Sequence, residues 1–344
     1  MLACSEVKMD THLWLIFLIA IGFSGVVGAQ EKKPMRAGII GLDTSHVSAF
    51  TKLFNDSKAV GDIADVKIVA AFPGGSEDIA SSRDRIEGFK KELSGLGVEM
   101  VDSIPALLEK VDVVLLESVD GRPHLEQARP VFKAGKPMFI VKPLAGSLAD
   151  AIAIYELGKK YNVPWFSSSA LRFSPGTLAA LRDPNIGEVM SCDAWSPCPL
   201  EEHHPDLFWY GVHGVETLYT VMGGGCESLN RMQVAGRDVV VGRWSGGRIG
   251  TFHGIRPGKG DYGATIFGKN GIGQCGKYEG YKPLVEQIAL FFKTRKAPVN
   301  NAQTIELFAF MEAADESKRQ GGAVVKLADV MQKAREEAKR KIGE

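Results

Sequence analysis

The run Arg36-Ala-Gly-Ile-Ile-Gly-Leu-Asp-Thr-Ser-His46 carries the clearest chemical signal in the chain. An apolar strand runs into Gly41, and a helical pattern follows at Val47, Phe50, Leu53 and Phe54, the layout of a turn that cradles a phosphate. In such a turn one glycine makes the tight bend, a second lets the backbone approach a pyrophosphate, and a third lets helix pack on strand. Here those positions are Gly41, Asp43 and His46. Two like charges about 4 Å apart repel by roughly 4 kcal/mol at an effective dielectric of 20, so a carboxylate at position 43 opposes the usual pyrophosphate pose. Asp43, Thr44, Ser45 and His46 therefore read in two ways. They line a ligand site at the carboxyl end of the first strand, or they cap the helix, the role favoured for Ser45.

Other polar clusters are less specific. Glu201-Glu-His-His-Pro-Asp206 holds carboxylates and imidazoles, but adjacent histidines diverge in regular structure, so a solvated loop is favoured over a metal or sugar site. His253 and Arg256 fall near a strand end, and Ser168, Ser169 and Arg172 follow another. No nucleophile elbow, metal-spaced histidine pair or P-loop is present, and no metal is expected.

The elements that must position these residues follow from periodicity. Up to about Pro164, strands at 36–40, 66–71, 98–100, 111–116, 138–140 and 164–166 alternate with helices at 48–55, 78–93, 104–109, 124–134 and 148–161. That alternation predicts a parallel, doubly wound sheet. Beyond Ser167 the pattern changes to strands at 188–196, 228–235, 238–244, 248–255 and 263–268, with helices at 175–182, 214–222, 281–293, 302–319 and 327–341. Glycine-containing turns between successive strands predict a mostly antiparallel sheet. The expectation is an α/β domain over 34–166 and an α+β domain with an open sheet over 167–344.

With 344 residues, 45% of them apolar, the chain can bury cores for two such domains. Lys plus Arg and Asp plus Glu are 41 each, so no net field steers it to nucleic acid or acidic membranes, and a small, roughly neutral ligand is expected. Leu13 to Val27 is apolar and ends in Val27-Gly-Ala29, a small-residue cleavage pattern. Residues 1–29 read as a secretory signal, which implies a periplasmic or extracellular protein with no stable membrane span after cleavage. As a membrane anchor the run is short, since a span needs about 20 residues. No twin-arginine pair precedes it, so an unfolded chain would be exported rather than a cofactor-loaded one. Of Cys4, Cys192, Cys198, Cys226 and Cys275, four survive cleavage, and Cys192 with Cys198 is the favoured disulfide pair.

Three further segments, with the first turn, make the chain similar to the glucose-fructose oxidoreductase and inositol dehydrogenase (Gfo/Idh/MocA) family. They are Pro123-His-Leu-Glu-Gln-Ala-Arg-Pro-Val-Phe-Lys-Ala-Gly-Lys-Pro137, Phe139-Ile-Val-Lys-Pro-Leu-Ala145 and Asp206-Leu-Phe-Trp-Tyr-Gly-Val-His-Gly-Val-Glu216. The resemblance spans nearly everything after the signal. It implies an N-terminal Rossmann domain binding NAD or NADP, a C-terminal substrate and oligomerisation domain, and hydride transfer with a sugar, polyol or glycoside.

On that resemblance Lys142 is the active-site lysine, touching substrate and cofactor, and His213 the acid or base on the reacting hydroxyl. Glu216 occupies the second acidic position, on the same helical face as His213, and Arg172 is a candidate for substrate hydroxyls. Gly41, Asp43, Thr44, Ser45 and His46 fall on the cofactor turn. Val141 stands where the family carries an acid, so the partner of Lys142 is missing or lies elsewhere, and Trp209 stands where it carries an aspartate. At the end of the second strand, Ala70-Ala-Phe-Pro-Gly-Gly-Ser76 offers no acidic residue for an adenosine ribose. Two other outcomes stay open: redox-neutral cleavage of a glycoside with recycled NAD, and a carbohydrate-binding descendant without nucleotide. A homo-oligomer is expected by analogy.

Overall fold

The first sheet is built from β1 (Met35–Ile40), β2 (Val66–Phe72), β3 (Glu99–Met100), β4 (Val113–Leu116), β5 (Met138–Val141) and β6 (Trp165–Ser168), with α1 (Ser45–Phe54), α2 (Ala80–Arg83), α3 (Ile86–Gly95), α4 (Ile104–Lys110), α5 (His124–Lys133) and α6 (Leu148–Lys160) between them. The computed structural model describes residues 33–258 and 260–343; the proposed signal and Cys4 lie outside the described residues. The strands pair in parallel in the order β3-β2-β1-β4-β5-β6, the doubly wound arrangement that alternation predicts. Both faces are covered. Ile39, Leu115 and Phe139 point into one layer, and Ile40, Leu116 and Ile140 into the other, and the central strands β4 and β5 are apolar throughout. The order reverses between β1 and β4, and ligands of open α/β sheets collect at the carboxyl ends of strands at such a point.

The remaining elements are α7 (Pro175–Ala180), β7 (Val189–Pro197), α8 (Asp206–Trp209), α9 (Val212–Met222), β8 (Cys226–Val234), β9 (Arg237–Trp244), β10 (Ile249–Ile255), β11 (Gly263–Gly268), β12 (Ile272–Cys275), α10 (Lys282–Thr294), α11 (Asn301–Arg319), β13 (Val325–Lys326) and α12 (Leu327–Ile342). The second sheet runs β12-β11-β7-β10-β9-β8-β13, antiparallel except where β10 pairs with β7. α9 and α11 cover one face. The other is open and leaves Met190, Met232, Val234, Ile249 and Ile272 between 49% and 72% exposed. No described helix is long and apolar enough to cross a membrane.

Four details depart from the linear reading. The expected helix over 78–93 is two, α2 and α3, and β12 and β13 are too short for a periodic signal. α10 follows the second sheet in sequence, yet Leu284, Ile288, Phe291 and Phe292 pack into the first-sheet layer with Phe50 and Phe139, so the second half of the chain helps to build the first core. The four described cysteines are free and buried. Cys192 lies in β7 and Cys198 just past its end, and six residues of extended strand span about 20 Å, which no disulfide bridges.

Candidate active site

Gly41 ends β1 at φ 89°, and a Cβ there would sit 2.4 Å from Ser118 Oγ and 2.5 Å from the Ser118 backbone nitrogen, so only glycine fits this bend. Asp43, at the second glycine position, does not face a ligand. It is fully buried; one carboxylate oxygen accepts from the Val119 amide at 2.9 Å and the other from Ser82 Oγ at 2.6 Å. Burial raises its pKa, and the two hydrogen bonds oppose that shift. The expected clash with a phosphate is thereby removed, because the carboxylate is spent tying the ends of β4 and α2 to the first turn. Ser45 does not cap α1. It is the first helical residue and is exposed, while the N-cap is Thr44, whose side chain makes no capping bond.

Beyond this turn, a cavity of about 470 Å³ opens between the carboxyl end of the first sheet and the start of α9. Thr44, Ser45 and His46 at the start of α1, Arg85 before α3, Val119, Lys142 after β5 and Ser169 after β6 line one side. His213 and the tyrosines 210, 262, 278 and 281 close the other. Lys142 precedes Pro143 in a cis peptide, and its Nζ lies 5.4 Å from the Tyr210 ring centroid. Burial pushes the lysine down to about 8, opposed by the charge of Glu117. Among the described residues no acid lies within ion-pair distance of Lys142; Glu117, at the neighbouring strand end, acts on it only at longer range, so the acid absent at Val141 is not replaced by a direct partner.

His213 owes its place to Gly214. A Cβ at 214 would lie 2.4 Å from the Phe252 ring, so glycine lets α9 settle on β10. His213 Nδ1 is 2.8 Å from Ser169 Oγ, and Tyr210 and Tyr262 stand edge-on to its ring. Burial and the charge of Lys142 hold it well below the usual imidazole range, so it is neutral near pH 7 and able to accept a proton.

Two expected site residues have other work. Glu216 is on the His213 face of α9, but its carboxylate accepts from Ser168 Oγ (2.7 Å), the Ser169 amide (2.7 Å) and Arg172 Nε (2.8 Å), and it makes no bond to His213. Arg172 is buried against Glu216 and Gln303 and does not line the cavity. The pair fixes the end of β6, and through Ser169 it positions His213. Glu216 is thus a positioning residue, and Arg172 is not available to a ligand there.

The residues fit the nicotinamide-phosphate half of a dinucleotide. The free amides at the start of α1, with Arg85 and Lys142 beside the same cavity, favour an anion. The adenosine end has no carboxylate for a ribose, since Pro73 stands at the end of β2. There the chain binds itself: Leu42 donates to Pro73 O, Ser76 Oγ to Asp120 at 2.6 Å, and Arg122 clamps Asp78 at 2.8 Å and Asp120 at 2.7 Å.

Among the described residues, the loop of His203 and His204 included, no three histidine, cysteine, aspartate or glutamate side chains are grouped so as to hold a metal ion. His203 is exposed, whereas His204 is buried against Trp209. The tyrosines, Arg85 and Glu117 escaped the linear reading. They come from five separated segments with no shared motif, and the glutamate simply continues an apolar strand.

No family model matches the chain, and no curated protein matches it in sequence. Solved structures do. A scyllo-inositol dehydrogenase from Lactobacillus casei with bound NAD(H) and scyllo-inositol aligns at TM-score 0.69 and 14% identity, over 86% of this chain and 100% of its own. A myo-inositol 2-dehydrogenase from Lactobacillus plantarum aligns at 0.69 and 17%, over 86% and 99%. A Thermotoga maritima protein described as a probable dehydrogenase aligns at 0.69 and 21%, over 86% and 100%. The fold is the one these solved structures have, a Rossmann sheet followed by a mostly antiparallel one.

Proposed function

We propose that the chain is a Gfo/Idh/MocA-type oxidoreductase acting on a hydroxyl of a sugar, polyol or glycoside, with NAD or NADP as the hydride partner. The observation that carries this reading is the convergence of Lys142 and His213 on one cavity beside the α1 N-terminus. A nicotinamide bound there supplies the hydride acceptor. Thr44 and Ser45 at the start of α1, with Gly41 shaping the turn, would hold its phosphate, and Lys142 and Val119 would flank its ribose. Neutral His213 takes the hydroxyl proton on Nε2, since Nδ1 is engaged by Ser169, and Lys142 stabilises the developing alkoxide. The four tyrosines exclude water and present ring faces and hydroxyls to a polyhydroxylated ring.

Calorimetric titration with NAD(H) and NADP(H), followed by turnover assays with inositols, sugars and glycosides, tests the reading. Micromolar binding with reduction of the nicotinamide supports it. Binding without net reduction favours redox-neutral cleavage. The self-bound loops at the adenosine end favour a nucleotide-free carbohydrate binder, and absence of binding at millimolar nucleotide would establish that alternative. We also propose export through cleavage after Ala29, checked by cell fractionation and N-terminal sequencing. A homo-oligomer would bury the open face of the second sheet, checked by light scattering.

A further inference from the structure

Glu117 is the least compensated acidic group among the described residues. It follows β4, is fully buried, and neither carboxyl oxygen has a hydrogen-bond partner. No lysine or arginine lies within ion-pair distance; His46 Nδ1 is 3.5 Å from Oε2. A carboxyl group buried without hydrogen bonds keeps its proton, and desolvation holds Glu117 well above the usual carboxylate range despite the charge of Lys142.

A protonated carboxyl needs an acceptor. His46 Nδ1 is buried, unpartnered and nearest to hand. The ring is clamped, stacked on Phe50 at 5.4 Å and 6° and met edge-on by Tyr281 at 4.9 Å. Burial and the charge of Lys142 hold this imidazole down to about 3, so it is neutral with one acceptor nitrogen. Its other nitrogen, Nε2, makes no hydrogen bond within the protein and is left to the cavity that His46 lines.

We propose that Glu117 and His46 form a buried carboxyl–imidazole pair in which Glu117 donates to Nδ1 and thereby sets Nε2–H as a fixed hydrogen-bond donor to an oxygen of the bound ligand. The 3.5 Å separation is just beyond hydrogen-bond length. The two imidazoles then divide the work. Ser169 is a hydroxyl that can donate or accept, so His213 can change its proton. A protonated Glu117 can only fix His46 one way. His46 and Lys142 together stabilise the reacting oxygen, and Glu117 is a positioning residue. The part played at the reacting oxygen rests on the dehydrogenase reading; the hydrogen-bond assignment does not.

The test is nitrogen NMR of the full protein labelled at histidine, without ligand, in the wild type and in Glu117→Gln and Glu117→Leu. The wild type is expected to show His46 as the Nε2–H tautomer from pH 5 to 8. Glutamine, which can still donate, preserves it; leucine, similar in bulk, gives mixed tautomers. A difference infrared spectrum of wild type against E117Q should contain the carbonyl stretch of a protonated carboxyl. An Nδ1–H tautomer, an imidazolium or carboxylate bands in the wild type would overturn the assignment. With a substrate in hand, E117L is expected to lower kcat about 100-fold with KM little changed, and E117Q to recover part of it. An unchanged kcat in E117L would refute the donor role. Loss of all turnover in the wild type would refute the dehydrogenase reading and leave the spectroscopic test intact.

Discussion

Replacing Glu216 separates a positioning role from a chemical one. Its carboxylate and the Arg172 guanidinium are buried, 4% and 8% exposed, and joined at 2.8 Å, with Ser168 and the Ser169 amide completing the shell. Removing one partner of a buried pair leaves the other charge uncompensated, which costs about 3–5 kcal/mol. Against a total stability of about 5–15 kcal/mol, Glu216→Ala should leave a folded but weakened protein. At roughly 2–4 °C per kcal/mol, Tm falls by about 10 °C. Adding Arg172→Met removes the stranded charge, so the double variant should be more stable than E216A, with a coupling of about 1–3 kcal/mol. Urea denaturation of the wild type, both single variants and the double variant measures this directly. Because Glu216 makes no bond to His213, histidine NMR should find the His213 titration displaced only through Ser169, with its neutral form kept near pH 7. If Glu216→Gln kept the wild-type Tm while His213 became protonated at neutral pH, Glu216 would act on the imidazole itself and the positioning argument would fail.

Lys142 depresses stability where it is charged. Its pKa falls from 10.5 to about 8 on folding, so the unfolded chain binds more protons between those values and stability rises with pH across that window. Lys142→Met should therefore raise stability by about 2–3 kcal/mol below pH 8, fading towards pH 10.5 while turnover is lost, as followed by Tm against pH; a constant gain at all pH values would refute the burial argument. Gly214→Ala forces a Cβ to 2.4 Å from Phe252 and 2.8 Å from Ser196 Oγ, an overpacking worth about 1–3 kcal/mol that should lower the urea midpoint and shift the His213 resonance. Cys192, Cys198, Cys226 and Cys275 are free and buried, and burial pushes the Cys198 and Cys226 thiols up to about 12, so a chain lacking residues 1–29 should show four thiols to Ellman's reagent only after denaturation. Two or fewer would reveal a disulfide.

Local pattern alone was enough for the layered architecture. Strands apolar on both faces demand helices above and below, so the alternation from β1 to β6 specified a parallel sheet. Lys142 and His213, which line one cavity, each sit in a short motif beside a residue with one structural use, Pro143 and Gly214. What tertiary structure decided was partnership. Asp43 turned from the phosphate position to Val119, 76 residues away, and Glu216 from His213, three residues away, to Arg172, 44 residues away. Side-chain charges act over a few ångströms, and which groups come that close is set by the packing of distant segments. Periodicity specifies which face of an element is buried; only the folded chain specifies what it is buried against, and that determined which of the candidate acids and bases were left facing the cavity.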